Sequence, residues 1–199
     1  MAGKQTFPLT PIRRRASMCR SGHNHWLRKM CGGLGACSVL DLGAEPDASD
    51  KEGGRYRDYF PGASFRALDQ RPHDHPDYIQ GDLMLPMPEL GQFDLVLCMS
   101  VIEHIDRPWV AAPNIAGLVA PGGHLYVAMP WFYPTHEGPD FGDHWRARPS
   151  GLRILFDMLD EVRHEFYPTP LLAVRDRKSW WRVRDATATG SSVLFHKPE

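Results

Sequence analysis

The chain has 199 residues, 42% hydrophobic and 24% charged, with 23 Lys+Arg against 24 Asp+Glu. That length suits one domain with a sizeable core, and a composition near the globular average excludes a fibrous or wholly disordered chain. No apolar run approaches the ~18–20 residues that span a bilayer, so no membrane span is expected.

The net charge of −1 averages two unlike parts. Residues 1–40 hold seven basic residues (Lys4, Arg13, Arg14, Arg15, Arg20, Arg28, Lys29) and no acid, leaving 16 basic and 24 acidic residues in 41–199, a net of −8. The expected organisation is a basic arm over 1–36, with a short helix near 23–31, and an α/β domain over 37–199. The arm reads as a nucleic-acid tail, a targeting segment or a helix that closes over an acidic cleft, with Trp26 and Leu27 packing down. Cys37 and Cys98 border or lie in apolar runs, so buried free thiols and a reducing cytoplasm are expected. Cys19, His23, His25 and Cys31 form a loose cluster without standard zinc spacing.

In chain order, SVLDL (38–42) reads as a buried parallel strand followed by Gly43. YRDYF (56–60) reads as the end of a short helix, SFRALD (64–69) as a second strand and YIQ (78–80) as a third. The intervening RPHDHPD (71–77) is too short for a crossover helix. FDLVLCM (93–99) is the clearest buried strand. Residues 101–119 have helical spacing interrupted by Pro108 and Pro113. After a turn at Pro121-Gly122-Gly123, HLYVAM (124–129) is the fifth strand. A long loop over 130–149, rich in Trp, Tyr, His and Asp, has the length and composition of a functional loop. A helix over 150–161 with Ser150 as N-cap, then strands at 162–167 and 191–196, complete the pattern. Alternating strands and helices imply a mostly parallel sheet, whose ligand site lies beyond the carboxyl ends of its strands.

Those ends are polar: Asp41, Asp69, Asp82, and Ser100 with Glu103-His104. A carboxylate after the second strand matches the two hydroxyls of a ribose. Asp82 suits either an exocyclic amine or the N-cap of a short helix at Leu83. Asp41 is expected to orient the next loop through backbone N–H groups. His104 reads as a base, a stacking plate or a helix-start residue. His73, His75, His136 and His144 lie in loops and are expected to be exposed. His136, Asp140, Asp143 and His144 would suit a metal, but their spacing is no metal signature and none is assigned.

Taken together, VLDLG (39–43), Asp69, Gly81-Asp82, FDLVLCMSVIEHI (93–105) and LVAPGGHLYVAMP (118–130) resemble class I S-adenosylmethionine-dependent methyltransferases. YRDYFPGASFRALD (56–69) and HEGPDFGDHWRARPSGL (136–152) are similar to a small bacterial subgroup often found with glycan or natural-product genes. The resemblance implies a Rossmann-like, doubly wound, mostly parallel sheet of about seven strands with a reduced helix set. It implies S-adenosylmethionine as cofactor. Asp41, Gly43, Ala44, Met99 and Ser100 would then surround the methionine moiety. Asp69 and Gln70 would hold the ribose, with Gly81, Asp82 and Leu83 at the adenine. His104, His136 and His144 are the implied catalytic candidates, and Trp131, Tyr133, Asp143, Trp145 and Arg146 the implied substrate lid.

The first loop departs from the Gly-x-Gly-x-Gly pattern, reading Gly43, Ala44, Glu45, Pro46, Asp47. Methyl transfer to a small molecule or glycan is the implied activity. The altered loop keeps open a non-catalytic binding module as the alternative. Nucleic-acid methylation is disfavoured, because the fourth strand is followed by SVI rather than Pro-Pro-Tyr, although KSWWRVR (178–184) mixes cations with aromatics. The bland reading of Trp180 and Trp181 is a hairpin on the sheet edge. A homodimer is left open.

Overall fold

The strand pattern is borne out in a computed structural model that describes residues 18–50, 52–131, 133–168 and 188–199. The first 17 residues of the arm and the segment KSWWRVR (178–184) lie outside the described residues. Strands β1 (Ser38–Leu42), β2 (Ser64–Asp69), β3 (Tyr78–Gln80), β4 (Phe93–Met99), β5 (Val119–Pro130), β6 (Asp160–Pro168) and β7 (Ala188–His196) form one sheet in the order β3-β2-β1-β4-β5-β7-β6. Pairing is parallel from β3 to β5, and β7 runs antiparallel between β5 and β6. The order reverses between β1 and β4. There the loops leaving the two strands diverge and open a crevice.

Alternation along β1 shows how the sheet is filled. Leu40 and Leu42 join the apolar layer beneath helices α2 (Pro108–Gly117) and α3 (Pro149–Leu155), with Ile115, Leu152 and Phe156. Val39 faces the other side, where helix α1 (Met18–Cys31) contributes Leu27, Met30 and Cys31. At ~1.5–3 kcal/mol per buried large apolar side chain, two such layers supply the main stabilisation. Leu27 is buried and Trp26 half-buried, and α1 packs on β5, β6 and β7.

Several boundaries differ from the sequence reading, each for a local reason. The first helix begins by Met18, a turn and more before His23. YRDY is a single 3-10 turn, Tyr56–Tyr59. Pro108 starts α2, at the helical position that needs no N–H, and only Pro113 lies inside it. Ser150 does not cap α3: the helix starts at Pro149 after Arg148 and ends at Leu155. β5 extends back to Val119, because a register shift absorbs the Pro-Gly-Gly turn and Gly122 takes a φ of +72°. Cys98 is buried as expected, but Cys37 is exposed at the entrance to β1. No helix links β2 to β3, so the helix set is reduced as the sequence implies.

Candidate functional site

A cleft of about 480 Å³ opens at the carboxyl ends of β1 to β4. That volume suits a small organic ligand. Its first wall contains Gly43, Asp69, Gln70, Gly81, Asp82 and Leu83, and its second contains Ser100, His104, Gly142 and His144. Of the ten cofactor-side residues expected from sequence, Asp41, Ala44 and Met99 do not line it. Met99 instead packs into the layer under α1.

On the first wall, Asp69 Oδ1 accepts the Arg71 backbone N–H at 3.0 Å, and its carboxylate pairs with the Arg71 guanidinium at 3.3 Å. Asp82 Oδ1 accepts the Met84 N–H at 2.9 Å, closing a short turn rather than a helix. Gly43 has a φ of +67°, and a Cβ there would lie 2.7 Å from Val101 Cγ2. Only glycine fits this close approach of the loops leaving β1 and β4. Ser100, at the end of β4, is the single described non-glycine residue with positive φ, 58°. Such a conformation is uncommon outside glycine and collects at functional sites.

Asp41 does not orient the loop as expected. It is fully buried, and its Oδ2 has no hydrogen-bond partner among the described residues. Burial pushes its carboxyl up to about 7, against the opposing pull of the Arg20 guanidinium. Of the two acids of the altered glycine loop, Asp47 is tied up by neighbouring cations, and Glu45 acts on the Arg71 guanidinium at the cleft wall. Asp47 is engaged by Arg55 at 3.7 Å, Arg57 at 3.6 Å and the half-buried His75 at 3.5 Å. Glu45 is exposed and is not among the lining residues.

The second wall is built around Glu103, in the 3-10 turn Ile102–His104 after β4. Its side chain is completely buried and neither carboxylate oxygen has a hydrogen-bond partner on another described residue. Burial raises its carboxyl to about 7. His104 Nε2 lies 3.9 Å and His136 Nε2 4.0 Å from Glu103 Oε1. His104 Nδ1 is 2.6 Å from the Gly142 carbonyl. A carbonyl only accepts, so Nδ1 carries the proton and Nε2 keeps its lone pair. Burial lowers the His104 pKa and favours this neutral ring.

The long loop brings the remaining groups. Asp143, almost wholly buried, receives the Arg146 guanidinium through both nitrogens, one contact at 2.6 Å, and the His136 backbone N–H at 3.0 Å. The Arg146 hydrogen bonds hold its carboxyl well below the usual range. His136 Nδ1 is 3.1 Å from Asp143 Oδ2, off the angle of a directed hydrogen bond. The His144 backbone N–H donates to the Glu103 carbonyl at 2.7 Å and fastens the loop to the end of β4.

The sequence thus points to His104, His136 and His144 near one wall and to Glu103 as a strand-end polar group without a role, and gives no sign of Arg71 beside Asp69. An acid directly after the apolar run FDLVLCMSVI is the signal for Glu103. His136 is half-buried rather than exposed, and Asp143 faces Arg146 rather than open solvent. Trp145 is exposed against Trp109, ring centroids 5.7 Å apart, and Tyr133 lies against His136; like Asp143 and Arg146, neither lines the cleft. Trp131 is outside the cleft lining, under the Arg148 guanidinium.

Residues 57–127 match the family model described as "Methyltransferase domain". Over that stretch, which runs through β2, β3, β4 and most of β5, the chain is similar to methyltransferase domains. It is 28% identical over 119 residues to the ubiquinone biosynthesis O-methyltransferase of Acinetobacter baumannii, covering 52% of this chain and 48% of the relative. The chain therefore spans about half the length of the curated relatives it matches. The N-methyltransferase NodS of Bradyrhizobium japonicum WM9, solved with S-adenosyl-L-homocysteine, superposes with a TM-score of 0.61 at 16% identity, over 94% of this chain and 90% of that one. The 1,6-didemethyltoxoflavin-N1-methyltransferase of Burkholderia thailandensis superposes with a TM-score of 0.57 at 16% identity, over 92% and 80%. The chain thus shares its fold with these proteins. No described helix is long and apolar enough to cross a membrane.

Proposed function

We propose that this chain binds S-adenosylmethionine and methylates a small-molecule or glycan acceptor. The observation that carries the proposal is the meeting, in one cleft, of strand-end carboxylates Asp69 and Asp82 with the Gly43–Val101 cradle. The residues fit the cofactor. Asp69 offers two acceptors for a ribose diol and Asp82 one for the adenine amine, with Leu83 beside it. Asp47 of the altered glycine loop is paired with Arg55 and Arg57, which offset its charge beside the cofactor's carboxylate. S-Adenosylmethionine supplies a methyl carbon made electrophilic by its sulfonium.

The chain's own work is to position the acceptor, exclude water and manage one proton. A hydroxyl acceptor must lose a proton, and the bare Nε2 of neutral His104, at the cleft wall, is suited to take it. The O-methyltransferase name of the Acinetobacter relatives supports an oxygen acceptor. The exposed rings of Trp145 and Tyr133 favour an acceptor with a ring to stack.

Calorimetric titration with S-adenosylmethionine and S-adenosylhomocysteine tests the reading, with micromolar binding expected. No heat at millimolar ligand would leave the non-catalytic module as the function. Where binding is seen, mass spectrometry of phenolic, heterocyclic and glycan acceptors incubated with the cofactor reads out the methyl acceptor.

A further inference from the structure

Glu103, His104 and His136 meet without being neighbours in the chain: the first two follow β4 and the third comes from the 131–148 loop. Their ligand atoms, one from each residue, all lie within 4.8 Å of one another. Glu103 is a fully buried carboxylate with no hydrogen-bond donor from another described residue on either oxygen. An ionised buried carboxylate costs several kcal/mol, so a group held only by its own backbone N–H keeps its proton or takes a cation. The nearest guanidinium, on Arg146, is turned onto Asp143 through both its terminal nitrogens.

We infer that Glu103, His104 and His136 form a binding site for a divalent transition metal ion at the wall of the cleft. Two imidazoles and one carboxylate suit Zn²⁺, Co²⁺ or Mn²⁺ rather than Mg²⁺ or Ca²⁺, which prefer all-oxygen shells. The surrounding groups match what such ligands need. A metal-binding histidine is held by a partner on its other nitrogen. For His104 that partner is the Gly142 carbonyl, 2.6 Å from Nδ1. For His136 the neighbour is Asp143, which accepts the His136 backbone N–H at 3.0 Å and lies 3.1 Å from Nδ1 without a directed hydrogen bond to it. Both Nε2 atoms face Glu103. The carboxylates of Glu103 and Asp143 offset the ion and Arg146 opposes it, a balance that favours one divalent cation. Three protein ligands leave coordination positions for water or an acceptor oxygen, and His104 lines the cleft; an ion there takes up the His104 Nε2 lone pair, so the proton-accepting role proposed above belongs to the metal-free protein. The inference does not depend on cofactor binding.

The test uses tag-free protein stripped with EDTA. It is titrated with ZnCl₂ by calorimetry and with CoCl₂ by visible absorption, where bound imidazole gives intense d–d bands. One ion per chain is expected. His136→Ala and Glu103→Gln should each weaken Zn²⁺ binding on the order of 100-fold, and Asp143→Asn roughly tenfold, through the orientation of His136. Circular dichroism identifies variants that fail to fold. His136→Ala, on the surface loop, is the variant best placed to keep the fold. Binding unchanged in a His104→Ala/His136→Ala variant would assign the ion to other histidines, such as the His73–His75 or His124–His196 pairs, and overturn the inference. No binding by the parent protein would overturn it equally. S-Adenosylhomocysteine titrated in parallel reports on the methyltransferase reading separately.

Discussion

On the wall formed by β1 to β3, each site group is a residue at or just past a strand end, and strand register places it: Gly43 after β1, Asp69 ending β2, Asp82 after β3. On the facing wall only Ser100, Glu103 and His104 follow a strand. His136, Asp143 and Arg146 arrive on a long loop, fixed by the Asp143–Arg146 pair and by the His144 N–H on the Glu103 carbonyl. The first wall inherits its geometry from the sheet, whereas the second depends on a few polar contacts made after the sheet exists. Lesions on the two walls should therefore have different signatures.

Asp143→Ala should give the largest effect on stability, and only on the second wall. It removes a buried carboxylate that holds Arg146 and the His136 amide. Breaking such a pair costs ~3–5 kcal/mol. Hydrogen exchange at the His136 amide should speed up by on the order of 100-fold, while S-adenosylhomocysteine affinity changes less than about threefold. An equal loss of affinity would show that the loop shapes both walls.

Asp69→Ala is the counterpart. Losing two hydrogen bonds to a charged group, each ~1.5–3 kcal/mol, should weaken S-adenosylhomocysteine binding by roughly 100- to 10,000-fold. Loop exchange should not change. Unaltered affinity would remove Asp69 from the ribose site.

The floor beneath the cleft gives a third, smaller contrast. His23 in α1 is buried, and burial with the Arg20 charge lowers its pKa to about 3. Asp41 is raised by burial to about 7. Between about pH 4 and 6.5, unfolding protonates His23 and deprotonates Asp41, so the two proton counts oppose each other. His23 contributes stability present above its unfolded pKa and lost as pH falls towards 3. Asp41 contributes stability present below its unfolded pKa and lost as pH rises towards 7. In His23→Gln, stability should decline with rising pH across this window relative to the parent, by up to ~1.4 kcal/mol per pH unit. In Asp41→Asn it should climb with pH instead. Denaturant midpoints of both variants at pH 4.5, 5.5 and 6.5 check the signs; parallel profiles would mean that neither group is perturbed.

What the sequence reveals follows the same division. Apolar runs followed by polar residues locate β1 to β4, and with them Asp69, Asp82 and Ser100, because strand register places the residues at and just past a strand's end. Asp41 misleads for a reason the sequence hides: one position short of the strand's end, it alternates onto the α1 side and is buried. Glu103 is legible as a residue after β4, but its meeting with His136 is not. That contact joins residues 33 positions apart through a loop whose path depends on Asp143 finding Arg146. Helix limits fail where Pro108 and Pro149 act as starts rather than breaks.

The smallest predicted effect concerns what Asp69 does before a ligand arrives. Its carboxylate is shared between the Arg71 backbone N–H and the Arg71 guanidinium, whose side chain is 64% exposed. A ribose diol competes with the guanidinium for those oxygens, whereas the backbone bond can remain. An exposed pair of this kind is worth ~0–1 kcal/mol, so Arg71→Ala should tighten S-adenosylhomocysteine binding by no more than about fivefold. The gain should shrink as ionic strength rises, because salt already weakens the pair in the parent protein. Weaker binding in Arg71→Ala would reverse the assignment. Arg71 would then be a ligand-holding residue, and the first wall would depend on a loop side chain as the second one does.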